Sequence, residues 1–335
     1  MKILFIGGTG NISTAVSNRA VAQGHELFLL NRGKTPLEVE GAHSVVADIK
    51  DEAAVEKALG GQTFDVVANF IAFTRQDIER DLRLFAGMCG QYIFISSASA
   101  YAKPAGSPFI TESTPLKNPH WDYSRNKIAC EECLLRAYRE DDFPMTIIRP
   151  SLTYDKVIPA AIGSWDDFTI IERIRAGKPI IVHGDGTSLW TITHSEDFAT
   201  GMVGLLGHQL AVGEAFHITS DEVLNWNQIY QCICHAAGAE TEFVHIPSDF
   251  IARMIPWQEG NLHGDKAQSV IFDNSKLKRF VPGFNAPITF KEGIARTVAW
   301  FEAKPERIRI DAGTNQAMDK IIAAYKSAFD QAKPL

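Results

Sequence analysis

The segment Gly7-Gly8-Thr9-Gly10-Asn11-Ile12-Ser13 follows directly on an apolar run, Lys2–Ile6, and leads into a stretch, Asn11–Gln23, with helical spacing. A strand that turns through glycines into a helix leaves few folds open. Glycine allows the tight turn and lets a phosphate approach the backbone. The helix start beyond it offers free N–H groups and a positive dipole end. The reading is a phosphate loop for a dinucleotide, contacted through Gly7, Gly10, Asn11 and Ile12. An ordinary glycine turn is the alternative. The Gly7-x-x-Gly10 spacing is tighter than the most familiar fingerprint. Ser13 holds the third glycine position and predicts a looser contact between helix and strand.

The pattern then alternates. Apolar runs at Glu26–Leu30, Ser44–Ala47, Phe64–Phe70, Tyr92–Ile95 and Met145–Ile148 read as strands. Helical spacing falls at Asp51–Leu59, Gln76–Met88 and Tyr123–Arg139. Such alternation predicts an α/β fold, a Rossmann-type doubly wound parallel sheet. Its 335 residues, 45% of them hydrophobic, suffice for a main domain and a smaller one. Glu196–Leu206 as a helix and Ala215–Ile218 as a strand return to the sheet. The expected division is therefore a dinucleotide-binding domain at 1–155, returning at about 191–222. A smaller, discontinuous C-terminal substrate domain takes 156–190 and 223–305, and a helical tail 306–335. Pro, Gly and Trp cluster between Pro159 and Trp190 and between Pro256 and Gly264, marking candidate substrate loops or plain surface connections. Ala312–Ala332 is amphipathic, with Met318, Ile321, Ile322, Tyr325 and Phe329 on one side, to pack on the body or on a partner subunit.

The end of the second strand selects the cofactor. An acidic residue there would bind the ribose 2′-hydroxyl and reject a 2′-phosphate. This chain reads Asn31-Arg32-Gly33-Lys34 instead. Arginine suits a 2′-phosphate through paired hydrogen bonds, so NADP is expected in preference to NAD. Asp48, after the third strand, either accepts from the adenine amino group or caps the following helix.

A formal net charge of −7 argues against a chain-wide nucleic-acid surface, so nucleic acid is not the expected partner. No apolar run approaches the ~20 residues of a membrane span, and a cytoplasmic protein is expected. The five cysteines form no framework. Cys130-x-x-Cys133 lies in a helical pattern without a matching pair, which favours ordinary thiols over a redox or zinc site; no metal site is expected.

Tyr123 and Lys127 stand four apart and share a helix face. A free phenol titrates near pH ~10. A neighbouring ammonium would lower that value and fit Tyr123 to move a proton to or from a substrate oxygen. Alone, Tyr-x-x-x-Lys is common by chance. Here a small-residue loop, Ser96-Ser97-Ala98-Ser99-Ala100-Tyr101, follows the fifth strand, where open parallel sheets bind ligands.

With the Gly7–Gly10 loop, the Ser96–Tyr101 run and Tyr123-Ser-Arg-Asn-Lys127 in that order, the chain resembles the extended short-chain dehydrogenase/reductases, including the NAD-dependent epimerase/dehydratase family. Ile148-Arg149-Pro150-Ser151, Gly184-Asp185-Gly186, Ser195–Ala199 and the stretch from Asp273 to Phe301 extend the likeness over roughly residues 1–302. The resemblance implies Ser97 as the catalytic hydroxyl and Tyr123 as the acid/base. It implies Lys127 as the lysine that binds the nicotinamide ribose, and a cofactor lined by Asn69, Phe70 and Ile71 and by Pro150 and Ser151. It also implies a possible homodimer through the helix of Tyr123 and its neighbour.

The chain departs from nucleotide-sugar members at Trp190 and at Leu262-His263, where they carry arginines for a diphosphate. His183, His194, His263 and Arg149 could supply other polar contacts. Trp190-Thr191-Ile192-Thr193-His194 is similar to a divergent branch that includes chloroplast stem-loop RNA-binding proteins. The expected function is hydride transfer to or from a hydroxyl or carbonyl of a small polar, sugar-like molecule. Epimerase or reductase chemistry is favoured over dehydration, because no acid accompanies Ala98-Ser99. The alternative is a module of the same fold that binds RNA or senses redox state.

Overall fold

The computed structural model describes residues 1–34 and 39–332. Seven parallel strands form the central sheet: β1 (Lys2–Ile6), β2 (Glu26–Asn31), β3 (His43–Val46), β4 (Phe64–Asn69), β5 (Cys89–Ile95), β6 (Met145–Pro150) and β7 (Ala215–Ile218). Their order is β7-β6-β5-β4-β1-β2-β3, so the chain winds outward from β1 in both directions. The switch point lies between β1 and β4, where Ile6 pairs with Asn69. Ligands bind beyond the strand ends at such a point.

Both faces of the sheet are covered, and the period-two alternation of β1 shows how. Ile3 and Phe5 join a core with Val16 and Ala20 of α1 (Ser13–Ala22) and Phe198 and Met202 of α5 (Ser195–Leu205). Leu4 and Ile6 join the opposite core. Val55 of α2 (Glu52–Leu59), Ile78 of α3 (Arg75–Phe85) and Leu134 of α4 (Asp122–Asp141) belong to it too. Each such fully buried Val, Leu, Ile, Phe or Met side chain is worth roughly 1.5–3 kcal/mol. α3 starts one residue before the expected position, because Thr74 caps it in a capping box with Asp77.

A third core gathers later segments. Ile180–His183 pairs in parallel with Phe243–Ile246, and Leu189–Trp190 pairs antiparallel with Leu224–Asn225. Trp226 and Tyr230 of α6 (Trp226–Ala237) and Phe301 of α7 (Phe290–Glu302) fill it. α8 (Ala312–Gln331) packs on this body: Met318, Ile321 and Ile322 are buried there, and Arg173 bonds Asp319 at 2.6 Å. The apolar stripe is covered only in part, because Phe329 at its far end is 70% exposed. Among the described residues no helix is long and apolar enough to cross a membrane.

Candidate active site

A cavity of about 510 Å³ opens at the C-terminal ends of β1, β4, β5 and β6. Gly7, Gly10, Asn11 and Ile12 form one wall, with Phe70 and Ile71 beside them and Pro150 and Ser151 across. Gly7 has φ +80°, and a Cβ there would come within 2.5 Å of Ile71 Cγ2. A Cβ on Gly8 would overlap Leu29. Both glycines are therefore required by backbone conformation and space.

Ser13, at the third glycine position, bonds the turn itself. Its hydroxyl donates to the Gly7 carbonyl and accepts from the Gly10 N–H, both at 2.8 Å, and so ties the turn shut. Ser17 donates to the Gly8 carbonyl, at 2.8 Å. α1 starts without a side-chain cap and without an acidic residue in its first turn, the arrangement an anion needs. Asn11 Nδ2 donates to Thr153 O, while its Oδ1 is buried without a partner among the described residues. The tight glycine cradle, the uncapped helix start and this waiting acceptor fit a dinucleotide.

Four expected cofactor residues stand off the cavity wall. Asn69 is fully buried: its Oδ1 accepts from Ile71 N–H and its Nδ2 donates to Asp81. It fixes the turn that presents Phe70 and Ile71. Arg32 is exposed just beyond β2, and Asn31 ends that strand with its carbonyl accepting from Ala47 N–H. Asp48 is exposed too and accepts from Lys50 N–H, whereas Asp51 caps α2 by accepting from Ala54 N–H. The capping alternative for Asp48 is thereby excluded.

Ser97, Tyr123 and Lys127 line the cavity together with the glycine loop. Tyr123 and Lys127 lie one turn apart on α4, and the Lys127 ammonium is 5.8 Å from the Tyr123 ring centre. That ammonium donates to the carbonyls of Ala72 at 2.7 Å and Ile95 at 2.8 Å, linking the loop after β4 to the end of β5. The Phe73 and Phe94 rings face it at 4.5 and 4.8 Å. Burial lowers Lys127 to about 8 against the pull of nearby acidic groups. Burial pushes the Tyr123 phenol up to about 12; hydrogen bonding with Ser97 opposes this and the Asp265 charge adds to it. Burial, rather than the neighbouring Lys127 charge, sets the phenol here. Two carbonyls hold the ammonium, and Tyr123 is a neutral phenol at ordinary pH.

The Ser97 hydroxyl ends a chain of hydroxyls. Ser124 donates to Ser99 at 2.8 Å, and Ser99 and Ser97 share a hydrogen bond at 2.9 Å in which either hydroxyl can donate. Ser96 leads away from the cavity to Glu131, which is paired with Arg149 at 2.5 Å. Arg149 thus serves a buried network. The other polar candidates also stand off the wall: His183 bonds the Lys266 carbonyl, His194 caps α5, and His263 meets Asp249 at 2.9 Å. Cys130 and Cys133 are free, and burial raises both thiols, Cys130 to about 12.

The far end of the cavity is legible in the sequence only as the two clusters of candidate substrate loops, which do not single out Trp121, Asp265 or Lys266. Trp121, Trp165 and Trp190 line it with Asn261, Asp265 and Lys266. Trp165 and Asn261 fall inside the two Pro/Gly/Trp clusters, which were the available signal. Trp121 lies 4.9 Å from the Tyr123 ring. Asn261, Asp265 and Lys266 sit on or beside a π-helical turn, Leu262–Lys266, a form common at functional sites.

The profile of the NAD dependent epimerase/dehydratase family matches residues 3–219. A 2′-dehydrokanamycin reductase from Streptomyces kanamyceticus is 25% identical over 285 residues, covering 85% of this chain and 80% of that protein. The chloroplast stem-loop binding protein of 41 kDa b from Arabidopsis thaliana is 28% identical over 266 residues, covering 74% of this chain and 67% of that protein. Among solved structures, a UDP-glucose 4-epimerase from Bifidobacterium longum in complex with NAD+ and UDP superimposes with a TM-score of 0.72 at 17% identity. It covers 92% of this chain and 100% of that one.

Proposed function

This chain belongs to the NAD dependent epimerase/dehydratase family, and from that premise we propose that it is an NADP-preferring oxidoreductase. It transfers a hydride at a carbonyl or hydroxyl of a small, sugar-like molecule, and reduction is the direction its site favours. The observation that carries this reading is the meeting of Ser97, Tyr123 and Lys127 with the Gly7–Ser13 loop on one cavity. When bound, the nicotinamide supplies or accepts the hydride.

The chain's residues would do the rest. The N–H groups at the start of α1 hold the pyrophosphate, with Gly7 and Gly10 allowing its approach. Arg32 selects the 2′-phosphate, with Asn31 and Asp48 beside the adenosine half. Phe70, Ile71, Pro150 and Ser151 flank the nicotinamide half. Lys127 reaches the ribose while it keeps the ends of β4 and β5 together. Ser97 donates to the substrate oxygen and orients it. Tyr123, protonated because burial holds its phenol up, gives that oxygen its proton as the carbonyl is reduced. The reductase among the relatives supports this direction.

The same reading includes a cytoplasmic protein and a homodimer through α4 and the adjacent α3. It divides the chain into a dinucleotide domain at 1–155, returning at 191–222, and a substrate domain from 156–190 and 223–305. The experiment is to follow NADPH consumption with a panel of keto sugars. Tyr123→Phe should leave NADPH affinity unchanged and lower turnover by about 10²–10⁴-fold; retained turnover sinks the mechanism.

A second reading, RNA binding, has the stem-loop binding relative in its favour. It predicts binding that falls steeply with salt, and a filter assay at low salt that finds none eliminates it.

A further inference from the structure

We infer that the far end of the cavity is a stacking subsite for a phosphate-free glycoside. This rests on the reading of the near end as a hydride-transfer site. Three tryptophans, Trp121, Trp165 and Trp190, share this end of one cavity wall. Indole faces take the C–H face of a sugar ring and leave its hydroxyl edge for polar groups. The polar groups are present: Asn261, Asp265 and Lys266 line the same end.

Their charges decide the ligand class. Asp265 and Lys266 pair at 3.2 Å, and Lys266 also donates to Asn261 at 2.6 Å. Lys127 is engaged by two carbonyls. Among the described residues no arginine lines the wall. Among its wall residues the far end therefore offers no unpaired cation for a diphosphate, which would need charge-assisted partners. Lys103 does not line the wall; its ammonium stands 5.3 Å from the Trp190 ring centre and polarises it.

Trp190 supplies the second observation. It lines the cavity, is 3% exposed, and its buried indole N–H has no acceptor among the described residues. An unpaired buried donor is costly, and a sugar hydroxyl or ring oxygen would satisfy it.

The subsite is also held in shape. A Cβ on Gly260 would overlap Trp121, and one on Gly264 would come within 3.0 Å of Trp121 Cβ. The Lys266 carbonyl is bonded by His183 Nε2, Ser188 Oγ and Trp226 Nε1. Three bonds to one carbonyl fix the π-helical turn from behind. Because Trp121 lies beside Tyr123, a ring stacked here reaches the proposed proton donor.

Saturation-transfer NMR tests the inference on the full-length protein, with and without NADPH. The probes are a set of methyl glycosides (glucoside, galactoside, mannoside, xyloside and glucosaminide) and, separately, UDP-glucose. At least one methyl glycoside should bind with a Kd of about millimolar, and UDP-glucose should bind no tighter than the best of them. Trp165→Ala, at the rim, and Trp190→Phe, which keeps a ring and removes the N–H, should each weaken that binding about tenfold. Three results overturn the subsite: no methyl glycoside binding, UDP-glucose binding about tenfold tighter or more, or both variants binding as the parent does. NADPH fluorescence on the same samples separates the two readings. Glycoside binding without NADPH binding keeps the subsite and removes the hydride-transfer reading; the reverse removes the subsite alone.

Discussion

At the near end of the cavity, most wall residues come from segments that directly follow strands of the sheet. Gly7–Ser13 leaves β1, Phe70–Phe73 leaves β4, and Ser96–Ser99 leaves β5. At the far end, Trp121, Trp165, Trp190 and the turn from Asn261 to Lys266 arrive from four separate parts of the chain. The near end inherits its geometry from sheet hydrogen bonds and one tight turn. The far end is shaped by side-chain packing of Trp121 on Gly260 and Gly264. The difference teaches where specificity can change: the far end can be repacked without disturbing the sheet, and the near end cannot.

Substitutions can separate the two ends. The largest effect is expected from Gly7→Val, because the residue has φ +80° and its Cβ would press on Ile71. NADPH affinity should fall about 100-fold by fluorescence titration while methyl-glycoside binding stays unchanged. A parallel loss at both ends would break the comparison.

Next comes pH. Burial lowers Lys127 to about 8, so its charge is lost as pH rises through that value. If the near end needs that ammonium, kcat/KM for reduction should fall about tenfold per pH unit above a midpoint near 8. Tyr123, at about 12, contributes no limb there. The stability effect has the opposite sign. Above about 8 the folded state binds fewer protons at Lys127 than the unfolded state, whose lysine stays charged to pH ~10.4. Stability should therefore rise with pH over that interval, as urea midpoints would record. A rate profile flat to pH ~10 would remove the need for the Lys127 charge.

The smallest effect is Gly260→Ala, whose Cβ would meet the Trp121 ring first. Overpacking of this kind costs about 1–3 kcal/mol in stability. It should raise the substrate KM several-fold, with NADPH affinity intact. Unchanged KM with shifted NADPH affinity would reverse the assignment of the ends.

Much of the near end was legible because its signals are local. Gly7-x-x-Gly10 between a strand and a helix, and Tyr123 four residues before Lys127, each carry their geometry in their spacing. Elsewhere tertiary contacts overrode position. Ser13 looked like a weak glycine substitute, yet its hydroxyl spans the turn. Asn69 sat at the right strand end, yet its side chain turned inward to Asp81. Lys127 shares a helix face with Tyr123 as the spacing implies, yet no local pattern reports that the carbonyls of Ala72 and Ile95 hold its ammonium. The far end could be read only as two Pro/Gly/Trp clusters, because no local pattern reports that Trp121 and Asp265 meet.

Titration of the purified protein with NADPH and NADH, followed by fluorescence, tests the central claim most directly. NADPH should bind at micromolar concentration, about tenfold or more tighter than NADH, because Arg32 receives the 2′-phosphate. Tighter NADH binding would contradict the role of Arg32. Binding of neither cofactor would contradict the assignment of the Gly7–Ser13 loop and the oxidoreductase reading with it.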